Sequence, residues 1–187
     1  MEEIAARAGV SKQTVYKHFT DKQHLFAEIV QSTTDDMDAL IDLIADRLTQ
    51  SSDLARDLGR LAEIFLGALM TPRVLRLRRL VISSADRFPE IATAWYRQGF
   101  ERVLATLSSS FAALADRQLL VVDDPATAAE HFVSLLFWIP VNEAMFTGDD
   151  DYAASRDLVP VARSATVAFL NAYGARPPAD RSGRTQN

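Results

Sequence analysis

The stretch EEIAARAGVSKQTVYKHFTDKQHLF, from Glu2 to Phe26, decides the fold. It carries Lys12, Lys17 and Lys22 with little acid beside them, in a chain whose net charge is −5. Residue patterning predicts two short helices, over 2–8 and 12–18, with Gly9 supplying a left-handed turn and Ser11 capping the second helix. Two short helices joined by a tight, glycine-containing turn describe a helix-turn-helix. The spacing is particular: three residues separate Ala5 from Gly9, and five separate Gly9 from Val15. Ala5 must be small because the second helix crosses close over the first. Ile4, Val10, Val15 and Phe19 are expected to bury the inner face.

In such a motif the second helix enters the major groove, with its N-terminal residues at base edges. Lys12, Gln13 and Thr14 start that helix behind Ser11. Glutamine pairs with adenine, lysine with guanine, and threonine with a base or a phosphate. Tyr16, Lys17 and His18 are placed for phosphate oxygens. Lys22 lies in the first turn of the next helix, where free backbone N–H groups already favour an anion. Taken alone, the stretch also fits an amphipathic helix pair with a solvated lysine face. The agreement of turn, cap, basic face and charge contrast favours DNA.

Composition limits what else the chain could be. Its 187 residues are 48% hydrophobic, enough for a sizeable core, and contain no cysteine, which excludes disulfides and thiolate zinc sites. No apolar run reaches the roughly 18 residues of a membrane span, and no signal-peptide pattern opens the chain. The sequence therefore reads as cytoplasmic, with no membrane partner. Residues 1–27 hold four basic against three acidic groups, a net +1, so the remainder carries −6. An acidic protein of this kind touches nucleic acid only through a local patch.

The rest reads all-α. Thr20 and Gln23 suggest a capping box opening a third helix that meets no breaker before Ser51 and Ser52. Its stripe is Leu25, Phe26, Ile29, Met37, Leu40, Ile41, Ile44 and Leu48, thinned by polar residues at 31–36, where a bend is expected. A continuous helix of this length spans about 40 Å and can bridge two domains. Further helices are expected over about 53–70, 72–87, 89–118, 125–146 and 152–173, with Pro72, Pro89 and Pro125 in first turns. Residues 119–122 read as a connector, since a lone strand there has no partner. The tail 176–187 reads as disordered. The expected domains are thus a DNA-binding segment over 1–27, a helical body over 28–175, and that tail.

The opening stretch closely resembles the DNA-binding segment of TetR/AcrR-type transcriptional regulators. The shared features are Gly9-Val10-Ser11, the pair Thr14 and Tyr16, His18-Phe19, and Lys22. The stretch RRLVISSADRFPE, followed by an aromatic-rich helix, is similar to the effector domain of one branch of that family. The resemblance implies a ligand-responsive, sequence-specific DNA-binding regulator, a repressor, that binds a palindromic operator in double-stranded DNA as a homodimer. It also implies a two-fold four-helix bundle made by the last two helices. The family's DNA-binding domain has three helices, and this sequence opens at the second. A loosened head with impaired DNA binding is therefore expected, and a dimeric small-molecule-binding module without DNA binding is the alternative.

Apolar, alanine-rich surfaces on the last two helices independently suggest a subunit interface, against ordinary core. In the family, central helices enclose an effector pocket, for an effector that the sequence leaves unknown. Phe65, Trp95, Tyr96, Phe100, Phe137 and Trp138 are the candidates to line it, although aromatic residues at helical spacing also suit a core. Pro140 within a helical run would free the Leu136 carbonyl. Arg76, Arg78 and Arg79 fit a solvated face, an ion-pair set or a handle for an acidic effector, the first being the plainest. His131 reads as a satisfied core or interface residue, and His18 and His24 lack a third metal ligand. Asp149–Asp151 lacks calcium-loop spacing and reads as a solvated turn. No phosphate loop, nucleophile elbow or metal-binding histidine pair is present, so neither enzyme nor cofactor is expected.

Overall fold

The computed structural model describes residues 1–148 and 155–175, without the side chains of 36–40 and 42–46. The tail, the Asp149–Asp151 turn, and the Met37, Leu40 and Ile44 side chains lie outside the described residues. Within them the chain is all-α. The elements are α1 (Glu2–Ala8), α2 (Lys12–His18), α3 (Lys22–Thr49), α4 (Leu54–Leu69), α5 (Pro72–Ser83), α6 (Pro89–Trp95), α7 (Arg102–Asp116), α8 (Pro125–Thr147) and α9 (Val159–Tyr173). A π-helical turn, Tyr96–Glu101, joins α6 to α7.

Most starts and stops have local causes. Asp53, Thr71 and Asp124 cap α4, α5 and α8 by accepting backbone N–H bonds. The third helix starts one residue later than expected: Asp21 is the cap and accepts from the His24 amide at 2.8 Å. His24 in turn accepts from the Thr20 amide at 3.3 Å, so His24 takes the place expected of Gln23 and Asp21 that expected of the Thr20 side chain. α3 then runs unbroken for 28 residues, through the polar segment where a bend was expected. α5 ends at Ser83, not near 87: the Ser84 amide bonds back to the Leu80 and Val81 carbonyls, and the chain passes through turns over 84–87 before Phe88, φ −133°, leads into Pro89. α9 begins only at Val159, with Pro160 in its first turn. A helix crossing Pro160 from 152 would have lost a backbone bond there.

The connector at 119–122 does find a partner. The Val121 amide donates to the Tyr173 carbonyl at 2.7 Å, and the Ala175 amide to the Leu119 carbonyl at 3.2 Å. This single antiparallel bridge, Leu120 to Gly174, pins the end of α9 to the α7–α8 junction.

Two apolar clusters form inside. The larger joins α3, α4, α5, α7, α8 and α9, with Leu58, Leu66, Phe111, Phe132, Leu136 and Phe169 fully buried. Phe111, Phe132 and Phe169 meet with ring centroids 4.9–6.0 Å apart. Ala162 and Ala165 let α9 lie close against its neighbours. The smaller cluster holds Phe26 and Val30 of α3 against Leu77, Val81 and Ile91, with Phe88 and Trp95 at its edge. At its far end α3 is tied down by Arg117, which donates to the carbonyls of Thr49 and Ser51. Those carbonyls stand at and just beyond the helix C-terminus, where acceptors otherwise lack partners.

Removing the aromatic ring at the centre of the larger cluster should be costly. Phe169→Ala is expected to lose about 3–5 kcal/mol and to lower the melting temperature by roughly 10 °C, whereas Phe169→Leu should recover much of both. Thermal denaturation followed by circular dichroism checks this.

Candidate nucleic-acid interface and effector cleft

The turn of the head is built as its residue types require. Gly9 adopts φ 67° and ψ 24° at the end of α1, a conformation that side chains with a Cβ rarely take. The Val10 amide returns to the Ala5 carbonyl at 3.0 Å. Ser11 Oγ accepts from the Thr14 amide at 3.1 Å and lies 2.8 Å from the Thr14 hydroxyl. Ser11 and Thr14 are thus bonded to each other, and they fix the start of α2. Ala5 and Val15 are buried, while Ile4 and Phe19 are only half-buried. Val10 departs from expectation, being 43% exposed.

Lys12, Gln13, Tyr16, Lys17 and His18 all face solvent along α2, and Lys22 does so at the start of α3. Among the described residues, the Gln13, Lys17 and Lys22 side chains make no hydrogen bond or ion pair. Lys12 differs: its ammonium pairs with the Glu2 carboxylate of α1 and sits 5.9 Å from the centre of the Tyr16 ring. The pair raises the Lys12 pKa and lowers that of Glu2. This contact spans ten residues and two helices, so sequence spacing gave no sign of it. Beside the head, Ile4, Leu25, Ile29 and Leu80 line a groove of about 460 Å³.

A cleft of about 670 Å³ opens between α5 and α8 in the body. Ile82, Phe100, Val133, Phe137 and Trp138 form its apolar wall, and Ser134 and Asn142 are polar points on it. A cavity of about 50 Å³ adjoins it and shares Leu69, Arg78, Phe100, Val133 and Phe137. Thr33 and Thr34 of α3 and Trp95 of α6 complete the smaller space. The Thr34 hydroxyl donates to the Gln31 carbonyl at 2.8 Å and reaches Gln98 Oε1 at 3.4 Å. The π turn that carries Gln98, Gly99 and Phe100 therefore lies directly on α3; such turns often mark functional sites.

Of the six aromatic candidates, Phe100, Phe137 and Trp138 line the cleft and Trp95 the adjoining cavity. Phe65 lies in the larger core, 2% exposed, and lines neither space. Tyr96 stacks on Phe100 but points outward and is more than half exposed. Arg78, read as part of a solvated face, is instead half-buried in the cleft. Arg76 is the exposed member of that set, and Arg79 donates to the Ala144 carbonyl at 3.2 Å. α8 continues through Pro140, and the Asn142 side-chain amide donates to the Trp138 carbonyl at 2.6 Å. His131 lies at the surface, not in the core, with Nδ1 2.6 Å from the Tyr173 hydroxyl. No cluster of metal-ligating side chains occurs among the described residues, and no described helix is long and apolar enough to cross a membrane.

On its outer side α8 presents Leu135 and Ile139, next to Trp138 and Phe146, which line the cleft yet are 68% and 87% exposed. Val159 and Val167 of α9 are also exposed.

Comparison with known proteins places these features. Residues 1–29 match the family described as bacterial regulatory proteins, tetR family. Residues 56–175 match the AefR-like transcriptional repressor C-terminal domain. A TetR-family transcriptional regulator from Mesorhizobium loti, known from its crystal structure, is 45% identical, with a TM-score of 0.84 over 92% of this chain and 85% of that one. A TetR-family regulator from Pseudomonas syringae pv. tomato is 28% identical, with a TM-score of 0.69 over 94% and 86% of the two chains. The flavonoid-responsive regulator FrrA is 25% identical, with a TM-score of 0.67 over 95% and 87%. No curated protein matches the chain.

The Ser11 cap can be tested locally. Ser11→Ala should cost α2 about 1–2 kcal/mol, read as a roughly five- to thirtyfold faster amide exchange at Thr14 and its neighbours. Ser11→Asn should leave exchange nearly unchanged.

Proposed function

The chain belongs to the TetR family of bacterial transcriptional regulators, and we propose that it works as a homodimeric repressor released from a palindromic operator by a small-molecule effector. One observation carries the reading: the exposed face of α2 and the apolar cleft of the body are both attached to α3. Phe19, at the end of the recognition helix, meets His24 in the first turn of α3 with ring centroids 6.0 Å apart, and Thr33 and Thr34, in the middle of α3, line the cavity that adjoins the cleft. An occupant of the cleft then has a short mechanical route to the head.

The role of each head residue follows from its position. Gln13 and Lys12 meet base edges, and Tyr16, Lys17, His18 and Lys22 meet phosphates; the first kind of contact gives preference and the second gives register. Lys12 must leave Glu2 to do so, which makes Glu2 a local brake on DNA affinity. Ser11 and Thr14, already bonded to each other, act chiefly by holding α2 in shape. One α2 reads only a few base pairs, so two heads related by a two-fold are needed to read a palindrome. The exposed apolar strip on α8, continued by α9, supports pairing of two copies there, since patches of this kind mark association surfaces on soluble proteins. The cleft volume suits a small organic molecule, and the flavonoid-responsive relative is named for such a compound.

The thin packing of the head favours a second reading, because Val10, Ile29 and Leu80 are substantially exposed beside it. A head that does not hold its shape would leave a dimeric ligand-binding module without DNA recognition. Selection from random duplex DNA across a salt series separates the two readings. A regulator selects a two-fold symmetric site, whereas a module without DNA recognition selects nothing and binds negligibly even at low salt.

Lys17→Ala should weaken binding to every sequence and reduce the salt slope by about one. Gln13→Ala should change preference at one position per half-site, by about 1–3 kcal/mol. Ile139→Glu, exposed on α8 and outside the cleft, should convert a sedimenting dimer to monomer and abolish selection of a palindrome.

A further inference from the structure

The most unusual side chain in the cleft is Arg78. It projects from α5 into both the cleft and the cavity behind it, between Leu69, Phe100, Val133 and Phe137. Among the described residues it has no hydrogen-bond or ion-pair partner. Among the described residues, no aspartate or glutamate lines either space. Arg79, the other cation among the described lining residues, is engaged with the Ala144 carbonyl. Loss of water around Arg78 pushes its pKa down, although a guanidinium stays charged at any pH the protein meets. A charge withdrawn from water without a partner is unfavourable, and the arrangement gains most from an anion that enters with its own apolar body.

We propose that the effector is an amphipathic carboxylate, its carboxylate held by the Arg78 guanidinium and its apolar body lying along Phe100, Phe137, Trp138 and Ile82. The inference rests on the reading of this cleft as the effector site and names the class of compound it selects. The planar fork of a guanidinium matches a carboxylate through two parallel N–H···O bonds, which a lysine cannot reproduce. Ser134 and Asn142 stand on the same wall for any further polar group on the ligand. The apolar wall sets affinity, and Arg78 sets the choice of charge.

The test uses matched pairs of compounds, 2-naphthoate and decanoate against their primary amides, with binding followed by calorimetry and by tryptophan fluorescence. The two tryptophans of the chain, Trp95 and Trp138, line the two spaces. The native protein should bind the acids about ten- to a hundredfold more tightly than the amides, the advantage of a charge-assisted pair. Arg78→Met should erase that preference while keeping affinity for the amides, and Arg78→Lys should keep only part of it. Ile82→Glu, at an exposed position one turn along α5, removes part of the apolar wall and adds a competing carboxylate, so it should weaken all four compounds and the acids more than the amides. Equal binding of acids and amides by the native protein overturns the proposal and leaves the cleft standing as a neutral-ligand site. A preference that survives Arg78→Met overturns the role of Arg78. If none of the four compounds binds, both the proposal and the cleft reading fail.

Discussion

Everything in this molecule is arranged around a single unbroken helix that belongs to two cores at once. α3 is 28 residues long, about 42 Å at 1.5 Å per residue. Its first turns carry Phe26 and Val30 into the small cluster under the head, and its last turns carry Ile41 and Leu48 into the large one. Arg117 fixes the far end through the Thr49 and Ser51 carbonyls. In the proposed switch, a helix anchored in this way would act as a lever with its fulcrum in the body, and repositioning the head would disturb what α3 touches in between.

What it touches is unequal. The large cluster draws on six helices and holds fully buried phenylalanines and leucines, whereas the small one has only five buried side chains, from α3, α5 and α6. Close packing makes large cores resist gradual deformation. In the proposed switch, movement of α3 would therefore fall on the small cluster and on the π turn that rests on α3. Gln23 of α3 donates to Glu90 of α6 at 2.7 Å across the same joint. This polar contact is exposed and can re-form in a shifted register at little cost.

The head was legible from residue types because its chemistry is local. A left-handed glycine, a serine cap and a small residue at the crossing each answer to one backbone requirement, and Gly9, Ser11 and Ala5 meet them. The body was legible only in outline. Its helices follow from periodicity, yet α5 and α9 were predicted too long, because no breaker marks the turns at 84–87 and because Pro160 sits in the first turn of α9. Pocket residues were harder still. Phe65 and Phe100 are the same residue type, and the packing of neighbouring helices sends the first, on α4, into the core and the second, on the π turn, to a cleft. Arg78 and Arg76 differ in the same way, two positions apart on a helix and therefore on different faces. The Glu2–Lys12 pair and the Leu120–Gly174 bridge join segments distant in sequence, and no periodic pattern encodes either.

The proposed switch must satisfy an energetic condition that bears on where the effector's charge sits. A ligand moves an equilibrium only through its difference in affinity for the two states, and taking a population from 1:99 to 99:1 needs about 5.5 kcal/mol of difference. Apolar contacts along α8 would contribute little to that difference if α8 keeps its place in the large core, because they are made equally in both states. The useful contacts are those with groups that travel with the joint. Arg78 is such a group, since it follows Leu77 on α5 and precedes Val81, both of which hold Phe26 and Val30. A carboxylate that fixes the Arg78 guanidinium acts on the helix that grips the lever. A neutral compound filling the same cleft could bind well and still leave the heads where they were.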